Sequence, residues 1–489
     1  MKKIIAIVSV AMILASCADF TDLKPKGMNT LSSADDLELL LNAEFSDFYT
    51  ADMYHLTGDL LCGNARVANL ISQPTPSRIS IIVTWNENYV ERLAELTKSD
   101  DDYRMLFGYV GQIANPILAA VPFATGDEKK VKQIKAEALC LRAWAEFLLV
   151  NKYAAAYNPK TAETTPGIPY LMEDWDISIP PEKWTVKQVY DQIVADCDAA
   201  IETNALPVKN VNQMRWSKAC PYAIKALALM AMQRFDEAEA AAKASIEANG
   251  AITDYWSAAY TKMVAGSPCV NRIPFACEED LFHTYTQIIF NILRTPECEA
   301  RLEAGHSALV RMPSDILMTH TPMAGMGMAV YGLPYVCVGG YGTGAGASWN
   351  TYGLKSTQQY LIVAECEIRK GKYDEAMKYL DAIRAKRIDP SMYAPLQGKV
   401  ASQEEAVLHL KQTALGENVY SIYNFIERKR WNQLDDMKET LTRTFDLAMS
   451  GGPKVSYTLS PESPLWIFPF PGNAVDNNPN LKQNSYDEK

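Results

Sequence analysis

Two distant segments carry the same pattern, and it constrains the fold more than any other feature. In Ala226–Ala238 (ALALMAMQRFDEA) and Ala364–Ala376 (AECEIRKGKYDEA), an alanine is followed nine residues later by an aromatic residue, then by Asp-Glu-Ala. Small residues at these places let two antiparallel helices approach closely, and the aromatic residue caps the turn between them. A helix pair of this kind leaves an apolar face that only a neighbouring pair can bury. These regions are therefore expected to be stacked helix pairs.

The small/aromatic/small rhythm resembles a tetratricopeptide pair. Other stretches read as helices: Ala34–Phe48, Tyr103–Ala120, Lys135–Tyr153 and Val186–Asn204. Thr185 is the expected N-cap of the last, with Gln188 completing a capping box. A Pro-containing connector, Ala155–Trp184, separates the last two. Nothing alternates strand with helix, so the fold class is mainly α. Residues 250–350 differ: periodicity fades, and Gly, Pro, Met and Tyr rise toward Gly339–Gly346. This reads as a loop-rich lobe inserted into a helical scaffold, where binding function tends to sit. The expected organisation is 1–16 signal peptide, 17–249 N-terminal helical region, 250–350 inserted lobe and 351–489 C-terminal region with the second pair.

The N-terminus sets the expected compartment. Lys2 and Lys3 precede an uncharged apolar run, Ile4–Ala15, then Ser16 and Cys17. The run is shorter than the ~20 residues of a bilayer span, and no later stretch reads as one, so it fits a secretory signal core. Leu14-Ala15-Ser16-Cys17 resembles a bacterial lipobox, which implies cleavage before Cys17 and a lipid on its thiol. Acyl burial would then tether a soluble body, at about 0.8 kcal/mol per methylene. With 48% hydrophobic and 21% charged residues, the chain has a globular balance. Its net charge of −11 and lack of a basic run argue against a nucleic-acid partner. The five histidines are scattered and give no case for zinc, and no loop has the EF-hand pattern for calcium. Cys269 and Cys277 are the one pair to test for a disulfide.

From Cys17 to about residue 486 a series of motifs runs along the chain: Asp19-Phe20-Thr21-Asp22-Leu23-Lys24-Pro25 after the lipobox, Ala114-Asn115, Leu141-Arg142-Ala143-Trp144 leading to Asn151-Lys152-Tyr153, Ile168-Pro169-Tyr170-Leu171, and Trp184-Thr185-Val186 through Asp196. Lys429-Arg430-Trp431-Asn432, Ile467-Phe468-Pro469-Phe470-Pro471 and Asn478-Pro479-Asn480-Leu481-Lys482-Gln483-Asn484 follow. In this order and spacing they resemble the SusD/RagB family of Bacteroidetes outer-membrane nutrient-binding lipoproteins. The chain departs from the family at Ala154 and Ser485, where the family has glycine, and lacks its Gly-Arg step at Tyr420–Phe425. The resemblance implies a SusD-like fold of tetratricopeptide-type scaffold helices. It implies a cell-surface lipoprotein of the outer membrane, not an enzyme and without a cofactor. Such a protein captures glycans or other nutrients and hands them to a SusC-like TonB-dependent transporter.

Sugars present flat C–H faces to aromatic rings and hydroxyls to Asn, Asp and Arg. Two clusters fit that chemistry. One is Arg78 with Trp85, Asn86, Glu87, Asn88 and Tyr89; the other is Tyr331, Tyr335, Tyr341, Trp349 and Tyr352. The expected ligand contacts are Arg78, Trp85, Asn86, Asn88, Tyr341 and Trp349, and replacing Trp85 and Trp349 by alanine is expected to abolish binding without unfolding. Lobe-core packing is the alternative for each aromatic residue. The acidic runs Asp100–Asp102 and Glu278–Asp280 read as solvated turns, and no nucleophile-elbow, zinc-protease or phosphate-loop motif is present. The competing function is a helical-repeat adaptor that binds other proteins and no small ligand.

Overall fold

The computed structural model describes residues 31–42, 52–57, 60–62, 71–176, 178–259, 261–264, 267–270, 277–284, 292–294, 296–307, 350–418, 421–446 and 452–484. Its N-terminal helices are α1 (Ala34–Leu41), α2 (Asp52–Thr57), α3 (Arg78–Val83), α4 (Val90–Leu96), α5 (Asp101–Tyr109), α6 (Asn115–Ala120), α7 (Glu128–Tyr153) and α8 (Val186–Glu202). The scaffold pairs follow as α9 (Ala219–Ala231) with α10 (Phe235–Ala248), and α12 (Ser356–Arg369) with α13 (Tyr373–Arg384), the short α11 (Pro296–Arg301) lying between them. The C-terminal region holds α14 (Gln403–Asn418), α15 (Tyr423–Trp431) and α16 (Gly472–Asn477). Strands occur only as two-stranded pieces among the described residues, the longest being the hairpin of β1 (Leu441–Asp446) with β2 (Lys454–Leu459). The chain is mainly α, as its sequence implies.

The central element is α7. Asp127 caps it, accepting the Lys129 N–H at 3.1 Å. Its first turns are charged, but from Ala136 to Tyr153 every residue is buried, with α1, α5, α6, α8 and α9 packed around it. A helix enclosed on all sides has no use for a one-sided apolar stripe. Its charged residues therefore need internal partners. Arg142 binds both oxygens of Asp196 on α8 at 2.7 and 2.8 Å, and Tyr170 donates to the same carboxylate at 2.8 Å. Arg215 binds both oxygens of Glu137 at 2.5 and 2.8 Å. Glu146 is fully buried, and burial pushes its pKa well above the usual range. The capping box of α8 is formed as expected, with Thr185 Oγ1 accepting the Gln188 N–H and Gln188 Oε1 accepting the Thr185 N–H.

The two copies of the repeated pattern are the two helix pairs, and their turns share one hydrogen-bond scheme. Gln233 (φ +60°) ends α9 and Gly371 (φ +72°) ends α12, both in the left-handed region. In the first pair Arg234 N–H donates to Leu229 O (2.9 Å) and Gln233 N–H to Met230 O (3.1 Å). In the second, Lys372 N–H donates to Glu367 O and Gly371 N–H to Ile368 O, both at 2.9 Å. These are Schellman motifs. Ala226, Ala238, Ala364 and Ala376 are all fully buried where the helices meet. The pairs stack through α10 and α12, with Arg369 lying 4.3 Å over the Phe235 ring.

The sequence motifs that carry the family resemblance tie segments together. Lys429 on α15 donates to the Asn151 and Ala154 carbonyls at 2.7 and 2.6 Å, closing the C-terminal end of α7. Arg430 binds both oxygens of Glu365 on α12, and Trp431 Nε1 donates to Glu365 at 3.0 Å. Near the end of the chain, Gln483 exchanges two hydrogen bonds with the Phe470 backbone, and Asn484 donates to the Tyr153 and Phe468 carbonyls.

One expectation is corrected. The continuous helical run Asp101–Phe123, through α5, a π-turn and α6, is long and apolar enough by length and composition to cross a membrane. The run packs on α7, with its Asp102 buried and ion-paired at the N-terminal end.

Candidate functional site

The first expected cluster surrounds α3. Ser77 caps this helix, and Trp85 ends it with φ +50°, a conformation that bulky residues rarely adopt. Asn86 N–H then donates back to the Ile81 carbonyl at 3.1 Å. The Trp85 ring is 6% exposed. Its Nε1–H donates to Leu56 O at 2.7 Å, and the Arg443 guanidinium from β1 covers its face at 4.3 Å. Arg443 also donates to the Val83 and Leu56 carbonyls at 2.9 and 3.0 Å. Trp85 thus rivets α2, α3 and β1, and the expectation of an open sugar platform at this ring is corrected: its face is covered and its donor is used.

Arg78 is also turned inward. It donates to the Asp52 carboxylate, to Asp100 at 3.3 Å and to Thr97 Oγ1 at 3.1 Å. What the loop offers outward is the single 3-10 turn Glu87–Tyr89 with Asn86 ahead of it. Asn88 and Tyr89 are exposed, and Asn86 and Glu87 half-buried. Two amides, a carboxylate and a phenol lie side by side on a support that Trp85 holds rigid. That arrangement can bind hydroxyls and present one ring.

Beneath the loop lies an ionic cluster. The fully buried Lys152 ammonium donates to Asp100 at 2.8 and 3.0 Å and to Asp102 at 2.7 Å, and lies 3.4 Å from Asp52. The Tyr352 hydroxyl donates to Asp102 Oδ1 at 2.8 Å. Three carboxylates thus share two cations, Lys152 and Arg78. Burial opposes ionisation of Asp100, but Lys152 and Arg78 outweigh it and hold its pKa low. Burial pushes Asp102 up to about 6, with Asp100 and Asp52 adding to the rise against Lys152. Two expectations are corrected here. Asp100–Asp102 is no solvated turn, since Asp100 and Asp102 are buried, and Tyr352 is a core residue bonded to Asp102.

The run Glu278–Asp280 is corrected in the same way. Glu279 is fully buried, accepting from Arg387 (2.8 Å), Tyr255 (2.7 Å) and the Thr253 N–H (3.0 Å). Burial would raise its pKa, but Arg387 and Lys355 pull it down to about 2. Cys17, Tyr331, Tyr335, Tyr341 and Trp349 lie outside the described residues, as does the Cys269 side chain. Among the described residues, no group of three or more His, Cys, Asp and Glu side chains is placed to hold a metal ion. One feature was missed by the sequence reading altogether: a cleft of about 200 Å³ between α14 and α15. Its lining comes from four separated segments, so no local motif announces it.

Comparison with known proteins agrees with this fold. A SusD-like family model, described as starch-binding and associating with the outer membrane, matches residues 64–229. Among solved structures, a putative sugar-binding protein from Bacteroides vulgatus superposes with a TM-score of 0.61 at 19% identity, over 94% of this chain and 100% of that one. A SusD superfamily protein from Bacteroides thetaiotaomicron gives 0.57 at 17% identity, over 93% and 100%. A SusD-like carbohydrate-binding protein from Bacteroides vulgatus gives 0.61 at 14%, over 92% and 97%. No curated protein matches the chain. The fold is therefore SusD-like over nearly the whole chain, and residues 64–229 within it match the SusD-like family model.

Proposed function

We propose that this chain is a lipid-anchored glycan-binding protein of the outer membrane that captures oligosaccharides and delivers them, unaltered, to a SusC-like TonB-dependent transporter. The observation that carries the reading is the family-model match to a starch-binding, outer-membrane-associated family within a SusD-like fold. Sugar contact falls to the Asn86–Tyr89 turn, where Asn88 and Tyr89 are exposed, and to Tyr341 and Trp349 of the 250–350 lobe. The Cys17 thiol carries the lipid.

Two experiments test the proposal together. Retardation of the mature protein in gels containing starch or other polysaccharides reads glycan binding. Purification of an affinity-tagged chain from its own membranes reads the partner. The expected result is retardation by at least one glycan and co-purification of a TonB-dependent transporter, with Cys17→Ala releasing the protein from the membrane. A chain that holds a partner protein but is retarded by no glycan is the helical-repeat adaptor instead.

A further inference from the structure

The cleft between α14 and α15 is lined by more cations than carboxylates among the described residues. Three cations face it: Arg301 from α11, Lys411 from α14 and Arg428 from α15. Of its two carboxylates, Glu427 is taken by Arg430. That leaves Glu439, which stands 3.5 Å from Lys411 Nζ and 3.8 Å from Arg428 Nη1, ion-pair separations longer than hydrogen bonds. Arg301 has no carboxylate partner among the described residues. Two of the cations are held in place from behind. The Met437 carbonyl accepts from Lys411 at 2.6 Å, and Asn424 Oδ1 accepts from Arg428 Nε at 2.8 Å. One wall is apolar. It combines the Trp431 ring, with Lys411 Nζ 5.8 Å from its centroid, and Leu408, which is 54% exposed at the mouth.

Cations fixed beside an apolar wall, in a space smaller than the 300–1,000 Å³ of drug-sized sites, define a small, singly anionic, partly apolar ligand. We propose that this cleft binds one acidic sugar unit, its carboxylate between Arg301 and Lys411 and its ring C–H face against Trp431 and Leu408. Glu439 supports the assignment, since it already places a carboxylate against two of the three cations. It is also the competitor, as its charge opposes an incoming anion. The site is separate from the Asn86–Tyr89 turn and does not need that turn to bind sugar.

Calorimetric titration of the mature protein with sodium galacturonate, galactose and acetate tests the proposal. Galactose lacks the carboxylate, and acetate lacks the ring. The expected result is saturable binding of galacturonate alone, weakening as salt is raised. Arg301→Gln weakens it by about tenfold or more, a difference that calorimetry resolves readily. Glu439→Gln tightens it, and Arg301→Gln leaves retardation by neutral polysaccharide unchanged. Equal binding of galactose or acetate, no saturation by galacturonate, or an Arg301→Gln variant of unchanged galacturonate affinity overturns it.

Discussion

At the scale of single residues, the ionic cluster around Lys152 makes the sharpest demands. Removing its charge leaves three buried carboxylates with only Arg78. Lys152→Met should therefore cost about 3–5 kcal/mol in denaturant unfolding, the usual penalty for breaking a buried pair. Asp102→Asn should cost far less, because it removes the carboxylate that burial pushes up to about 6 and leaves two carboxylates for two cations. Equal losses for the two variants would contradict this charge count. Trp85 is the second residue whose role is fixed by its surroundings. Trp85→Ala should lose about 3–5 kcal/mol of stability through the cavity it leaves, so loss of binding in that variant would report damage to the support. Tyr89→Ala is the cleaner probe of the turn, since Tyr89 is exposed; it should lower glycan affinity with the unfolding midpoint unchanged.

At the scale of elements, what was legible in the sequence was local. The two helix pairs announced themselves because alanines and an aromatic residue at fixed spacing solve a packing problem within about a dozen residues. Thr185 and Gln188 announced the start of α8 for the same reason. Trp85 was misread because its partners, Leu56 and Arg443, lie far away along the chain, and nothing near Trp85 signals that its face will be covered. The acidic runs were misread likewise, since Lys152 and Arg387 approach them only in the folded chain. The equivalence of the two turns yields a test of its own. Gln233 holds the left-handed position that Gly371 fills in the other copy. Gln233→Gly should stabilise the protein by roughly 1 kcal/mol, since glycine adopts this conformation without the side-chain penalty. A destabilised variant would mean that the Gln233 side chain contributes more than its backbone costs.

At the scale of the whole molecule, stability should depend on pH through carboxylates on opposite sides of the usual range. Glu279 and Glu365 are both buried and both drawn down to about 2. Burial opposes this in each case, and Arg387 with Lys355, or Arg430, outweighs it. Such groups stabilise the fold fully above about pH 4.5, and that contribution is lost as pH falls toward 2, with an upper bound on the order of 3 kcal/mol each. Asp102 works the other way: its raised pKa makes its contribution fall as pH rises from about 4 to about 6. Chemical denaturation between pH 2 and 7 should therefore show a steep acid limb, and Asp102→Asn should remove the opposing slope near pH 5. The motifs that revealed the family resemblance belong to this same frame. Arg142, Asp196, Lys429, Arg430 and Asn484 join distant segments, so they identify a fold readily and say little about what it binds.

The central claim is capture without chemistry. Calorimetric titration of the mature protein with a panel of neutral oligosaccharides, followed by chromatography of the recovered sugars, tests it most directly. The account predicts saturable binding of at least one oligosaccharide, recovered at its original length, with affinity reduced by Tyr89→Ala. Binding of none, or recovery of shortened products, would contradict it.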